Sequence, residues 1–179
     1  MIQFRPPSLS KAYDEFVSID PVFVRPPDPP SDDAGEEDLA AYKTALDEYA
    51  AKLRTARQTG DWSGMLAPGR SLNDATKFTL LPVDSNIWRE LLDRATQREG
   101  TPGRIGGAQL RALYVRLAIK AISGFETKIE RTEDPTFGYV MAQAEVIDVL
   151  DKVHPSIVGE LGVRVAERLR GVDPLSLKG

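Results

Sequence analysis

The chain has 179 residues and a mass of 19.7 kDa, with 41% hydrophobic and 28% charged residues, and its 23 basic and 27 acidic side chains give a formal net charge of -4. That is enough for one ordinary domain with an arm or tail, and it lacks the strongly basic balance of a dedicated duplex-DNA binder. The absence of cysteine excludes disulfides, thiolate metal sites, haem attachment and cysteine nucleophiles, and the single histidine, His154, excludes any site that needs two.

In chain order, residues 1–33 come first and hold Pro6, Pro7, Pro21, Pro26, Pro27, Pro29 and Pro30. Proline fixes φ and lacks a backbone donor, so this segment is expected to be extended or polyproline-like. It also carries Phe4, Tyr13, Phe16, Ile19, Val22, Phe23 and Val24, adhesive side chains in which a plain linker is poor. The pattern fits an arm that docks on another surface, its own or a neighbour's; the plainer alternative is a loose chain end. No apolar run in residues 1–20 suggests a secretory or transit segment, and no stretch approaches a membrane span.

The acidic run Asp28 to Asp38 leads into a helix expected over Glu36 to Gln58, within a segment 34–58, with Ser31 or Asp32 as its cap. Its large apolar residues Leu39, Tyr42, Leu46, Tyr49 and Leu53 follow steps of 3, 4, 3 and 4, a heptad seam two heptads long. Such a narrow stripe needs a partner helix or groove, either in its own domain or in another molecule. A loop at 59–75 follows, punctuated by Gly60, Gly64, Pro68, Gly69 and Asn73 and pinned by Trp62, Met65 and Leu66.

Residues 76–171 read as the compact core. Thr76 to Pro82 alternates as a strand, and Asp84 or Ser85 caps a helix carrying Ile87, Trp88, Leu91, Leu92 and Ala95. A glycine-rich loop over 99–107 leads to a central helix whose apolar residues Leu110, Leu113, Tyr114, Leu117, Ala118, Ile119 and Ile122 cover most of its surface. Phe125 to Glu133 and Phe137 to Met141 suggest a hairpin about Asp134-Pro135. Two helices follow, one over 142–153 and one that begins at Pro155, presents Ile157, Leu161, Val165 and Leu169, and stops at Gly171 before a tail at 172–179. The expected fold is mainly α with a small β element (α+β): a compact helical core plus an extended proline-rich N-terminal arm.

Motifs of chemistry are sparse. The glycine-rich loop matches neither phosphate-binding fingerprint, although Arg98 and Arg104 flank it. His154 precedes a proline at a helix junction, a structural position rather than a catalytic one. The acidic run lacks the alternating register of a calcium loop, and the arginines of the last helix are interleaved with Glu160 and Glu167. The expectation is therefore no enzyme, no catalytic, cofactor or metal residues, no small-molecule substrate, no membrane and no sequence-specific nucleic acid. Function is expected to rest on protein contacts made by Phe4, Tyr13, Phe16, Val22, Phe23, Val24, Leu39, Tyr42, Leu46, Tyr49 and Leu53.

The second half carries a particular series of segments. A strand-like Lys77-Phe-Thr-Leu-Leu-Pro82 precedes a helix, and an apolar helix ends in Ala121-Ile-Ser-Gly-Phe-Glu126; Val153-His-Pro-Ser-Ile-Val-Gly-Glu-Leu-Gly162 and a closing Leu175-Ser-Leu-Lys-Gly179 complete it. Over about Thr76 to Gly179 this resembles small proteins encoded in the morphogenesis modules of tailed bacteriophages. The resemblance implies a non-enzymatic virion structural protein of minor capsid, decoration or connector type, assembled in the host cytoplasm. Its partners would be other phage structural proteins and copies of itself. The alternatives are a tail assembly chaperone that binds the tape-measure protein and leaves the finished particle, and, from another class, a phage-encoded inhibitor of a host factor or a small enzyme.

Overall fold

The computed structural model describes residues 12–124 and 127–169. The candidate contact residue Phe4, the expected helix stop at Gly171 and the tail at 172–179 lie outside them. Roughly half of the described residues are helical and the strands are short and antiparallel, an α+β fold. The described chain divides into two compact units, one made of residues 12–17 and 76–169 and the other of residues 18–75.

The first unit contains a three-stranded antiparallel sheet of β1 (Tyr13–Glu15), β2 (Phe78–Leu80) and β3 (Ile119–Ile122), in the order β1-β2-β3. Tyr13 pairs with Leu80 and Glu15 with Phe78, and Phe78 pairs with Ile122 across the other side of β2. Within the segment 1–33, residues 13–15 form an edge strand of the core sheet. Alternation in Phe78-Thr-Leu80 buries both apolar residues, while Thr79 turns outward and donates its hydroxyl to Asp14 at 2.8 Å.

Five helices complete the described chain: α1 (Glu36–Thr59), α2 (Ser85–Thr96), α3 (Gly107–Ala118), α4 (Ala144–Val153) and α5 (Pro155–Leu169). Asp84 caps α2 by accepting from the backbone N–H of Asn86 at 2.8 Å. As its apolar surface predicts, α3 is central, burying Leu113, Tyr114, Val115, Leu117 and Ala118 against α2, α4, α5 and the hairpin. The apolar pattern through Ile122 does not continue as helix, however. At Ile119 the backbone switches straight to extended geometry, φ -65° and ψ 128°, and the β-branched Ile119 and Ile122 become buried strand residues of β3.

That switch leaves helix-end carbonyls without glycine-type closure. Arg131 supplies the missing donors. It sits on β4 (Arg131–Glu133), which pairs with β5 (Val140–Ala142) as the predicted hairpin. Its guanidinium donates to the carbonyls of Ile119 at 2.6 Å, Leu117 at 2.7 Å and Val140 at 3.1 Å. Burial pulls its pKa below the usual arginine value, as suits a cation held by carbonyls rather than by a carboxylate. Arg116 returns the contact, donating from Nε to the Ala142 carbonyl at 3.1 Å and from Nη2 to Asp134 at 2.9 Å. Burial works against the Asp134 carboxylate, but the N–H groups of Thr136 and Phe137 and the charge of Arg116 outweigh it and hold its pKa below the ordinary range.

The last two helices bury most of their expected faces, Leu161 and Val165 on α5 and Val146, Ile147 and Leu150 on α4, with Ile157 and Leu169 half-buried. On α5 the buried residues are Val158, Leu161, Gly162 and Val165, and on α4 they are Val146, Ile147 and Leu150, leaving Val149 and Val153 exposed. Gly162 widens the buried α5 face into a close helix contact. A Cβ there would stand 2.7 Å from both the Cβ and the carbonyl oxygen of Arg111, so glycine lets α5 press its backbone onto α3.

Two outcomes are expected. Gly162→Ala forces α3 and α5 apart and costs about 1–3 kcal/mol in urea unfolding, whereas Gly159→Ala, with open space around it, costs far less. Arg131→Lys keeps the charge but cannot reproduce the fork of donors, so it lowers stability by about 2 kcal/mol or more; an unchanged unfolding midpoint would mean that the helix-end carbonyls have other donors.

Candidate functional site

Within the second unit, α1 runs for 24 residues. It is rich in alanine and straight-chain residues that favour helix, and Glu48 and Lys52 stand one turn apart in the favoured order. Its N-cap is Gly35, whose N–H donates to Asp38 at 3.3 Å, in place of the expected Ser31 or Asp32. Gly60, at φ 73°, closes its far end in the left-handed region, with its N–H donating to the Ala56 carbonyl.

Only the C-terminal end of α1 is covered by its own unit. Ala56 is buried there, beside the short 3-10 turn Ser63–Met65. The strap residues 20–24 build this small core. The Asp20 carboxylate accepts from the Val22 N–H at 3.0 Å and turns the chain. Val24 N–H then donates to the Met65 carbonyl at 2.7 Å and Ala67 N–H to the Val22 carbonyl at 2.9 Å, an antiparallel bridge of Phe23 with Leu66. The Phe23 and Trp62 rings pack at 4.9 Å between centroids, and Trp62 and Met65 pin the loop as expected.

Further along α1 the seam opens to solvent. Leu53, Tyr49 and Tyr42 are half-buried, while Leu46 is 37% and Leu39 50% exposed. The stripe is flanked by an asymmetric charge pattern. Residues 36–48 carry Glu36, Glu37, Asp38, Asp47 and Glu48 against Lys43 alone, and residues 49–59 carry Lys52, Arg54 and Arg57 with no carboxylate. This polarity also suits the helix macrodipole.

The expected contact residues therefore part company. Leu39, Tyr42, Leu46, Tyr49 and Leu53 share one partly exposed face of α1, and Val24 is 42% exposed. Val22 and Phe23 are buried, and Phe23 bridges to Leu66 of its own chain. Phe16 is half-buried. Tyr13 is also half-buried and lies under the guanidinium of Arg168, 3.8 Å above its ring. Arg168 in turn holds the buried Glu15 at 3.0 Å, and Arg164 approaches the same carboxylate at 3.5 Å. This cluster ties β1 to α5, so Tyr13 serves the core of its own unit.

Sequence reading gave no hint of a shallow groove of about 380 Å³ in the first unit, lined by Pro82, Ile87, Leu117, Arg131, Tyr139 and Val140. The Tyr139 hydroxyl beside it donates to Glu90, and that bond, with burial, raises the phenol pKa. The groove joins residues from four separate stretches of chain, so no local spacing could mark it. Among the described residues no group of three His, Asp or Glu side chains is placed to hold a metal ion, and no helix is long and apolar enough to cross a membrane. Comparison with known protein families, curated proteins and solved structures finds nothing that matches this chain.

Burial, opposed by Arg168 and aided by Glu15, raises the Tyr13 pKa to about 12. A raised folded-state pKa favours folding while the phenol is neutral in both states, below the unfolded value of about 10. That contribution fades as pH climbs from there through the folded value. The difference in tyrosinate absorbance between the wild type and Tyr13→Phe is expected to appear only near the upper end of that window. A difference titrating at the ordinary tyrosine pKa would place Tyr13 in solvent.

Proposed function

We propose that this chain is a non-enzymatic bacteriophage virion structural protein, of minor capsid, decoration or connector type, that acts through protein–protein contacts. The observation that carries the reading is the seam of α1, a 24-residue helix that leaves Leu39 and Leu46 in water. Isolated exposed apolar residues are ordinary, but a heptad-spaced row, here two exposed leucines with three half-buried neighbours, is the form in which helices recognise other chains. The resemblance of residues 76–179 to phage morphogenesis proteins supplies the setting. In this reading the proline-rich N-terminal segment is ordered on neighbouring subunits, with Phe4 and Val24 as its contact side chains, while Val22 and Phe23 hold its inner end to its own chain.

Mass spectrometry of purified particles of the phage that encodes the chain is the direct test. A fixed stoichiometry against the major capsid and tail proteins is expected. Presence in infected-cell lysate with absence from particles would replace this reading with the tail assembly chaperone. Deleting residues 1–11 is expected to lower incorporation severalfold; normal incorporation would remove the arm from the proposal.

A further inference from the structure

We propose that two copies of this chain pair through α1, antiparallel, along the Leu39–Leu53 seam. The pairing does not depend on the phage reading, since it rests on α1 alone. The exposed face offers a heptad stripe in which Tyr42 and Tyr49 occupy one core position and Leu39, Leu46 and Leu53 the other. The charge pattern selects the orientation. A parallel pair would set Asp38 beside Lys43 of the second copy but Lys52 beside its Arg57, so attraction and repulsion offset. An antiparallel pair sets the acidic start of each helix along the basic end of the other with no like charges flanking the seam.

The side-chain sizes select the register. With the two-fold axis between Asp47 and Glu48, Leu46 meets Tyr49 of the second copy and Tyr42 meets Leu53, so each layer joins one large ring to one leucine. In the same register Glu36 comes alongside Arg57 of the second copy. The contact is isologous and closes at two chains, so it does not propagate into a fibre. It takes the stripe where α1 is uncovered and ends where Ala56 is occupied by its own unit. A seam of this length sits at the low end of stable interfaces, so the dimer is reversible and weakens with salt.

The absence of native cysteine makes the test clean. Sedimentation of the full chain is expected to show a monomer–dimer equilibrium, and Leu46→Asp is expected to weaken it on the order of 100-fold, since it buries a carboxylate twice per dimer. Because Leu46 is exposed in the single chain, the melting of dilute L46D is expected to match wild type. Tyr42→Asp, opposite Leu53 of the second copy, is the second variant should L46D fail to fold. A mixture of Tyr42→Cys and Leu53→Cys chains is expected to cross-link as the heterotypic pair under mild oxidation. A mass that stays monomeric over the whole soluble range, a dimer untouched by either aspartate, or cross-links that form only between identical variants would each overturn the proposal.

Discussion

One guanidinium closes the first unit. The chain passes from α3 to β3 without a loop, so the carbonyls at the end of the helix have no next turn and no glycine to fold back on them. Arg131 arrives from the hairpin and donates to two of those carbonyls and to Val140 on the opposite strand. A planar fork of donors can satisfy acceptors on two elements at once, which a lysine cannot. The position of the hairpin, the exit angle of β3 and so the pairing of β3 with β2 all follow from that arrangement. Arg116, reaching back from α3 to Ala142 and Asp134, locks the same junction from the other side.

Around this junction the packing is tight where backbones meet and ionic where an edge must be held. Gly162 removes the one side chain that would keep α5 off α3. Glu15 is buried between two arginines of α5, an arrangement that is costly to desolvate but more costly to break, because the loss of the carboxylate takes a partner from both arginines at once. The edge strand β1 is thereby fixed by its side chains as much as by its three-residue ladder with β2.

The second unit is built on the opposite economy. Its core is little more than Val22, Phe23, Trp62, Met65 and the Ala56 end of α1, and most of the long helix lies beyond it. A helix of this length with alanines on its flanks persists through propensity, capping and one-turn charge pairs. It can therefore present an apolar row to solvent without needing that row for its own folding. This separation between what holds the helix and what the helix displays is the physical basis for assigning function to contacts on its face.

Periodicity and turn chemistry determined which elements exist. The seam of α1, the cap at Asp84, the central character of α3, the hairpin about Asp134-Pro135 and the helix start at Pro155 are local properties, each carried by residues within a turn or two of one another. Tertiary structure decided the rest, because it depends on partners far apart in sequence. The apolar run through Ile122 reads as helix until β2 is present to pair with its last four residues, and Tyr13 reads as an anchor for others until Arg168 covers it. Val22 and Phe23 have the composition of a docking strap, and the bridge of Phe23 to Leu66 depends on a partner 43 positions away in sequence. The leucines and tyrosines of α1 share a face because a helix fixes that face locally, while how much of each is exposed depends on packing that the spacing does not carry.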